Sequence, residues 1–117
     1  METQTMVQTD VKERRRYPRR SWDAQLQSIY INSEGRRIIE MIHVVDISRG
    51  GLGAVTRDEH EVGEHFVLGL PEPSGRTRYV HAKVVRCWND NAGPHIGMQF
   101  TDIPADLGFW LNVCLAA

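Results

Sequence analysis

Nowhere does this chain hold the eighteen or so uninterrupted apolar residues that a bilayer-spanning helix needs, and Met1 to Asp10 is polar where a secretory leader is apolar. The expectation is a cytoplasmic protein with no membrane insertion. Cysteine is equally scarce: Cys87 and Cys114 have neither the paired spacing of a zinc site nor the density of a disulfide scaffold. Both are expected as reduced thiols in or near the core. Outside residues 12–20 the cations thin out to Lys83 and seven arginines against fourteen acids, too few for a surface that tracks duplex nucleic acid. Catalytic signatures are missing as well. There is no Gly-x-Ser-x-Gly elbow, no phosphate loop with its lysine and no carboxylate pair spaced for acid–base work. In His60-Glu61-Val62-Gly63-Glu64-His65 the histidines are five apart, about 140° around a helix, so they do not share the face that a zinc-protease helix requires. His43, His81 and His95 fall in strand patterns and are read as exposed or hydrogen-bonded rather than as ligands. These absences argue against an enzyme, a metal site or a cofactor.

What remains is the composition of one ordinary globular domain: 117 residues, 41% hydrophobic, 25% charged, with a net charge of -1. No repeat or low-complexity tract interrupts it. Residues 1–11 are polar and without period, and are read as a flexible tail ahead of a domain spanning residues 12–117. Strand-like runs follow at Asp23 to Asn32, Arg37 to Ile47, Leu52 to Thr56, His65 to Leu70, Arg78 to Trp88 and His95 to Thr101. Ser33-Glu34-Gly35, Pro71-Glu72-Pro73-Ser74-Gly75 and Asn89-Asp90-Asn91-Ala92-Gly93-Pro94 separate them as turns. No segment between strands is long enough for a helix, so an all-β barrel or sandwich is expected rather than βαβ units. After Asp102 and Pro104, Leu107, Trp110, Leu111 and Cys114 recur at i, i+3, i+4 and i+7, predicting a C-terminal α-helix over about 103–116 that packs on the barrel. Trp88, Phe100, Phe109 and Trp110 lie in elements that must bury something and are assigned to core packing.

Charge is distributed unevenly. Lys12 to Arg20 carries six cations (Lys12, Arg14, Arg15, Arg16, Arg19 and Arg20) against Glu13, leaving the rest of the chain net acidic. So many like charges repel unless an anion sits among them. Arginine rather than lysine suits phosphate and the O6/N7 edge of guanine, both held in bidentate fashion, and stacks on flat bases. Pro18 keeps Tyr17 out of the α region, so residues 12–20 read as an extended arm. Taken alone, such a run equally describes a solvated charge cluster or a weak nucleic-acid contact. A second segment, Asp46-Ile47-Ser48-Arg49-Gly50-Gly51, falls where a strand ends in a glycine-rich turn, with Gly53 just beyond. The glycines require positive φ or close backbone approach. The Asp46 carboxylate complements the N1–H and N2–H2 donors of a guanine, Ser48 donates or accepts, and the glycines expose N–H groups to phosphate. The competing reading is an Asx or Ser turn in which these side chains bond their own backbone.

Together, Arg15-x-x-x-Arg19 and, one hairpin later, Asp46-x-Ser48-x-x-Gly51 resemble the paired signature of PilZ domains, bacterial receptors for cyclic di-GMP (c-di-GMP). The likeness extends over the intervening strands, Gly53, the Ile96-Gly97-Met98-Gln99-Phe100 strand and the closing helix. It implies a six-stranded antiparallel Greek-key β-barrel with a C-terminal helix and a flexible basic arm, and a ligand held between arm and barrel. By the same resemblance Arg15 and Arg19 take guanine edges and phosphates, and Asp46, Ser48 and Gly51 position the second guanine and the ribose-phosphate ring. Arg14, Arg16 and Arg20 add supporting charge, and Arg86 forms a wall. The function implied is a c-di-GMP receptor that orders its arm on binding and signals to a partner protein in motility, pilus, biofilm or exopolysaccharide control. The alternative is an adaptor of the same fold that docks onto such a component without nucleotide. A single-stranded nucleic-acid binder ranks last, for want of an aromatic stacking platform beside the arm.

Overall fold

The computed structural model describes residues 19–102. The tail at residues 1–11, most of the basic arm, including Arg14, Arg15 and Arg16, and the helix expected over 103–116 lie outside the described residues. Six strands make up the rest: β1 (Arg20–Ile31), β2 (Arg37–Ile47), β3 (Gly51–Val55), β4 (His65–Pro71), β5 (Thr77–Asp90) and β6 (Gly93–Phe100). Each begins and ends within three residues of the run expected from the sequence. The three hairpins that the sequence marks with a glycine-containing turn close as anticipated. Gly35 and Gly75 adopt φ of 79° and 92°, where a side chain is strained, and donate their N–H groups to the carbonyls of Asn32 and Glu72.

The strands form one closed barrel in the order β1-β2-β3-β6-β5-β4, every neighbour antiparallel. Reading around from β4 gives β4-β1-β2-β3, a Greek key in which the fourth strand returns beside the first. Closure pairs every strand with a neighbour on each side for part of its length. Alternation sets the interior: along β2, Ile42 and Val44 are fully buried while Met41 and His43 face out. Ile47, Leu52, Phe66, Leu68, Leu70, Val80, Val84, Ile96 and Met98 join them in the core, each stabilising the fold by about 1.5–3 kcal/mol relative to an exposed side chain.

The connection from β3 to β4, residues 56–64, crosses one mouth of the barrel. It is pinned by Thr56 N–H to the Pro94 carbonyl and Gly63 N–H to the Val84 carbonyl, each within 2.9 Å. At its centre His60 is buried between two carboxylates, with Nε2 3.1 Å from Glu40 Oε1 and Nδ1 2.7 Å from Glu64 Oε1. The Tyr30 ring meets His60 edge-on with centroids 4.7 Å apart.

Two side chains assigned to the core are elsewhere. Phe100 is buried as expected, but Cys87 and Trp88 are exposed. The reason is topological. β4 pairs with β5 only as far as Lys83, so from there to Asp90 β5 is an open strand edge, hydrogen-bonded on one side to β6, which in turn pairs with β3.

Candidate functional site: the root of the arm and the Asp-x-Ser-x-x-Gly loop

Alternation alone places Asp46 inside. Glu40, Ile42 and Val44 point inward, and two residues further on so would Asp46. Val45 is an extra residue against β3, where Val44 pairs with Ala54 and Asp46 with Gly53. That bulge reverses the phase. Ile47 takes the buried position and Asp46 turns to the outer face, with 34% of its side chain exposed.

There Asp46 joins both segments that the sequence singles out. Arg19, the residue before β1, donates from Nη1 to Asp46 Oδ1 at 2.5 Å, and the same oxygen accepts the Gly53 N–H at 3.1 Å. The register sets up this meeting, because Ser21 lies opposite Asp46. Arg20 lies opposite Ile47 and is exposed. The last residue of the Arg-x-x-x-Arg motif and the first of the Asp-x-Ser-x-x-Gly motif thus form one ion pair at the barrel rim.

Ser48 takes the turn role. Only 7% exposed, it accepts the Gly50 N–H on its hydroxyl at 3.1 Å, while its own N–H donates to the Gly51 carbonyl at 2.8 Å. The Gly50 carbonyl accepts the Phe100 N–H at 2.8 Å, tying the loop to the end of β6. Gly51 and Gly53 do not need positive φ; of the two reasons the sequence allows for them, close approach is the one that applies. A Cβ on Gly51 would sit 1.9 Å from the Met98 carbonyl oxygen, and one on Gly53 would sit 3.0 Å from Asp46 Oδ1.

Arg86 arrives by a second use of the same device. Val80, Ala82 and Val84 point inward along β5, and Val85 is an extra residue against β6, where Val84 pairs with Met98 and Arg86 with Gly97. Arg86 consequently faces out. Through Asp46–Gly53, Gly53–Gly97 and Gly97–Arg86 it shares one row across β2, β3, β6 and β5. Three strand spacings separate the ends of that row, about 14 Å. Two glycines floor it, so nothing rises between the Asp46–Arg19 pair and Arg86.

Trp88 was not foreseen as a site residue. Its ring lies under the Arg86 guanidinium, 4.6 Å from centroid to Cζ, and stacks on His95 with centroids 5.1 Å apart. The exposed, paired π-face that the sequence did not reveal is therefore at the far end of the row. A signal was available. Both bulges fall on a Val-Val doublet, Val44-Val45 and Val84-Val85, each breaking strict alternation just before a charged residue. Beyond Trp88 opens a hollow of about 80 Å³ lined by Glu59, His60, Cys87 and His95 among others. It is well below the size of an ordinary ligand cleft and too small to enclose a dinucleotide. Among the described residues, no group of three or more His, Cys, Asp or Glu side chains is placed to hold a metal ion.

Comparison with known proteins places this geometry. A search of curated proteins found no sequence relative. Among solved structures the chain is similar to the inhibitor of motility MotI/DgrA of Bacillus subtilis, with 28% identity and a TM-score of 0.62 over 88% of this chain and 50% of that one. It is also similar to the PilZ domain of YcgR from Escherichia coli, solved with c-di-GMP, with 16% identity and a TM-score of 0.62 over 88% and 90% of the two chains. A third match is the MrkH–c-di-GMP complex of K. pneumonia, with 19% identity and a TM-score of 0.60 over 88% of this chain and 50% of that one. The chain spans about half the length of the MotI/DgrA and MrkH chains. The PilZ domain model matches residues 13–112, which takes in both motifs and all six strands, and the chain belongs to the PilZ domain family.

Proposed function

We propose that this domain is a c-di-GMP receptor and that the ligand lies on the outer face of β2, β3, β6 and β5, between the Asp46–Arg19 pair and Arg86. The observation that carries the proposal is the Arg19–Asp46 ion pair, which brings the two motifs to one point. The structures of YcgR and MrkH with c-di-GMP support the choice of ligand. In this reading the ligand exchanges partners with the pair. Asp46 accepts from the N1–H and N2–H2 groups of a guanine, and the Arg19 guanidinium, released from the carboxylate, takes a phosphate or the O6/N7 edge. Arg15 supplies the second guanidinium, and Arg14, Arg16 and Arg20 add field. Ser48 shapes the loop whose N–H groups face the phosphate, and Gly51 lets β3 come close to β6. Arg86, held over Trp88 by a cation–π contact of about 0.5–1 kcal/mol, closes the far end.

The signal is the arm. Two phosphates brought among its cations offset their mutual repulsion, so in this reading ligand binding orders residues 12–20 across the face and presents a changed surface to a partner protein. Isothermal titration with c-di-GMP, beside GTP and cyclic GMP, tests the proposal. Binding of c-di-GMP alone is expected, weakened about tenfold to a hundredfold by Arg19→Ala or Asp46→Ala, since each charge-assisted bond is worth about 1.5–3 kcal/mol. The same loss is expected of Arg15→Ala. Absence of binding by titration and by a second method sinks the proposal and leaves the nucleotide-independent adaptor.

A further inference from the structure

On β2, β1, β4 and β5 the barrel turns to solvent a second face, which the nucleotide reading does not use. Its register lines up Ile39, Ile29, Val67 and His81 in one row across all four strands; the pairs Arg37–Ile31 and His65–Lys83 flank that row on one side, and Met41–Gln27 and Gly69–Tyr79 on the other. Ile31, Ile39, Met41 and Tyr79 are 53%, 62%, 55% and 62% exposed, and half-buried Ile29 and Val67 bridge them. Single exposed apolar residues on strands need no explanation, but a contiguous patch rimmed by polar groups marks an interaction surface. Charge on this face has one sign. Arg37 and Lys83 stand at two corners, these rows hold no carboxylate, and neither cation joins an ion pair among the described residues.

We propose that this face docks an amphipathic helix of another protein, one whose apolar stripe is flanked by carboxylates. Three strand spacings by two alternate-residue steps give a footprint of about 14 Å by 14 Å, matching the 10–12 Å diameter of one helix. Helices that bind this way anchor through i, i+3, i+4 and i+7. Carboxylates flanking that stripe meet Arg37 and Lys83. A second copy of this chain fits worse, because a two-fold contact sets the same cations against each other with no acid to answer them. Ile39 lies seven residues from Asp46, about 23 Å along β2, so nucleotide and helix can be bound together. The proposal stands apart from the nucleotide reading, and its test contains no c-di-GMP.

The test uses the full chain with labelled Ile and Met methyls and two synthetic amphipathic helical peptides that share one Leu/Phe stripe, flanked by Glu in one and by Lys in the other. The Glu peptide is expected to shift the Ile29, Ile31, Ile39 and Met41 signals saturably and less strongly in high salt. It should bind about tenfold more weakly to an Ile39→Ser, Met41→Ser variant that melts with the wild type. No shift, or equal shifts with both peptides, overturns the proposal. So do concentration-dependent shifts without peptide, which assign the face to a second copy, and shifts at these methyls on Leu107→Ser, Trp110→Ser substitution, which assign it to residues 103–117 of the same chain.

Discussion

Gly51 and Gly53 are two residues apart in the same segment, yet the structure gives them different tasks, and replacing each with alanine separates fold from ligand. A Cβ on Gly51 lands 1.9 Å from the Met98 carbonyl oxygen and 2.9 Å from its carbon. Relief requires β3 and β6 to part by more than an ångström. Both are paired along their length, from Gly51–Gln99 to Val55–His95, so the obstacle is a hydrogen-bonded ladder and not a side chain that can swing away. Overpacking by one methyl ordinarily costs about 1–3 kcal/mol, and with backbone on both sides the upper end applies. At about 4–8 °C per kcal/mol for a domain of this size, Gly51→Ala should lower the melting temperature by about 12 °C or more. On Gly53 the added methyl meets only Asp46 Oδ1, at 3.0 Å, the far end of a side chain that can move a few tenths of an ångström. Gly53→Ala should then melt within about 4 °C of wild type, but its displaced carboxylate loses alignment with the Gly53 N–H and with Arg19. C-di-GMP affinity should fall about tenfold. Thermal denaturation followed by circular dichroism, paired with calorimetric titration, reads both. A Gly51→Ala protein melting with the wild type refutes the close-approach argument. A Gly53→Ala protein with undiminished affinity refutes the role given to Asp46.

Other consequences concern the barrel mouth. His60→Leu leaves the buried Glu40 carboxylate without its imidazole and should cost about 3–5 kcal/mol, whereas His60→Leu with Glu40→Leu should recover part of that in urea denaturation. Equal losses in the single and double variants refute the pairing. The Cys87 thiol donates to the His60 carbonyl at 3.2 Å, and its pKa is raised first by burial, then by Glu64 and Glu61. A raised pKa favours the protonated form, so in a Cys114→Ser background Cys87 should react with a disulfide reagent more slowly than a free thiol at neutral pH, accelerating as pH climbs past 9. A rate at pH 7 matching free cysteine contradicts it. Asp90 is held below the usual carboxylate range by the Ala92 N–H and then by His95. Its contribution to the β5–β6 turn is therefore present above the ordinary aspartate value and lost only as pH falls through the lowered one, as a carboxyl NMR titration would show.

The strands were legible because their evidence is local. Period-two runs ended by Pro, Gly and Asn clusters fix six strands, and the Arg-x-x-x-Arg and Asp-x-Ser-x-x-Gly spacings pick out Arg19 and Asp46. What escaped is non-local. Nothing near Trp88 records that β4 stops pairing at Lys83, so a residue typical of cores is expected in one although it stands beside Arg86 on the outer face of an open strand edge. Ser48 could not be decided from sequence, because a serine before two glycines serves a ligand and a turn equally well; its burial and the Gly50 N–H settle the geometry it has here. The apolar outer face was hidden for the opposite reason. Ile31, Ile39 and Met41 look like core residues until the register shows which of their neighbours already fill the inside.

The two Val-Val doublets tie these points together. In an unbroken alternation Asp46 and Arg86 would both point into the barrel, where an unpaired charge costs several kcal/mol. One inserted valine in each strand sends them out instead, onto the same row, on either side of two glycines. The valines themselves stay on the surface, Val45 at 39% and Val85 at 47% exposure, so they contribute little to the core and their value lies in the phase they set. Bulges of this kind re-aim side chains, and here a matched pair sets two opposite charges on one outer row of the barrel wall. Asp46 reaches the outer face, and Arg19, only because the residue before it is one too many.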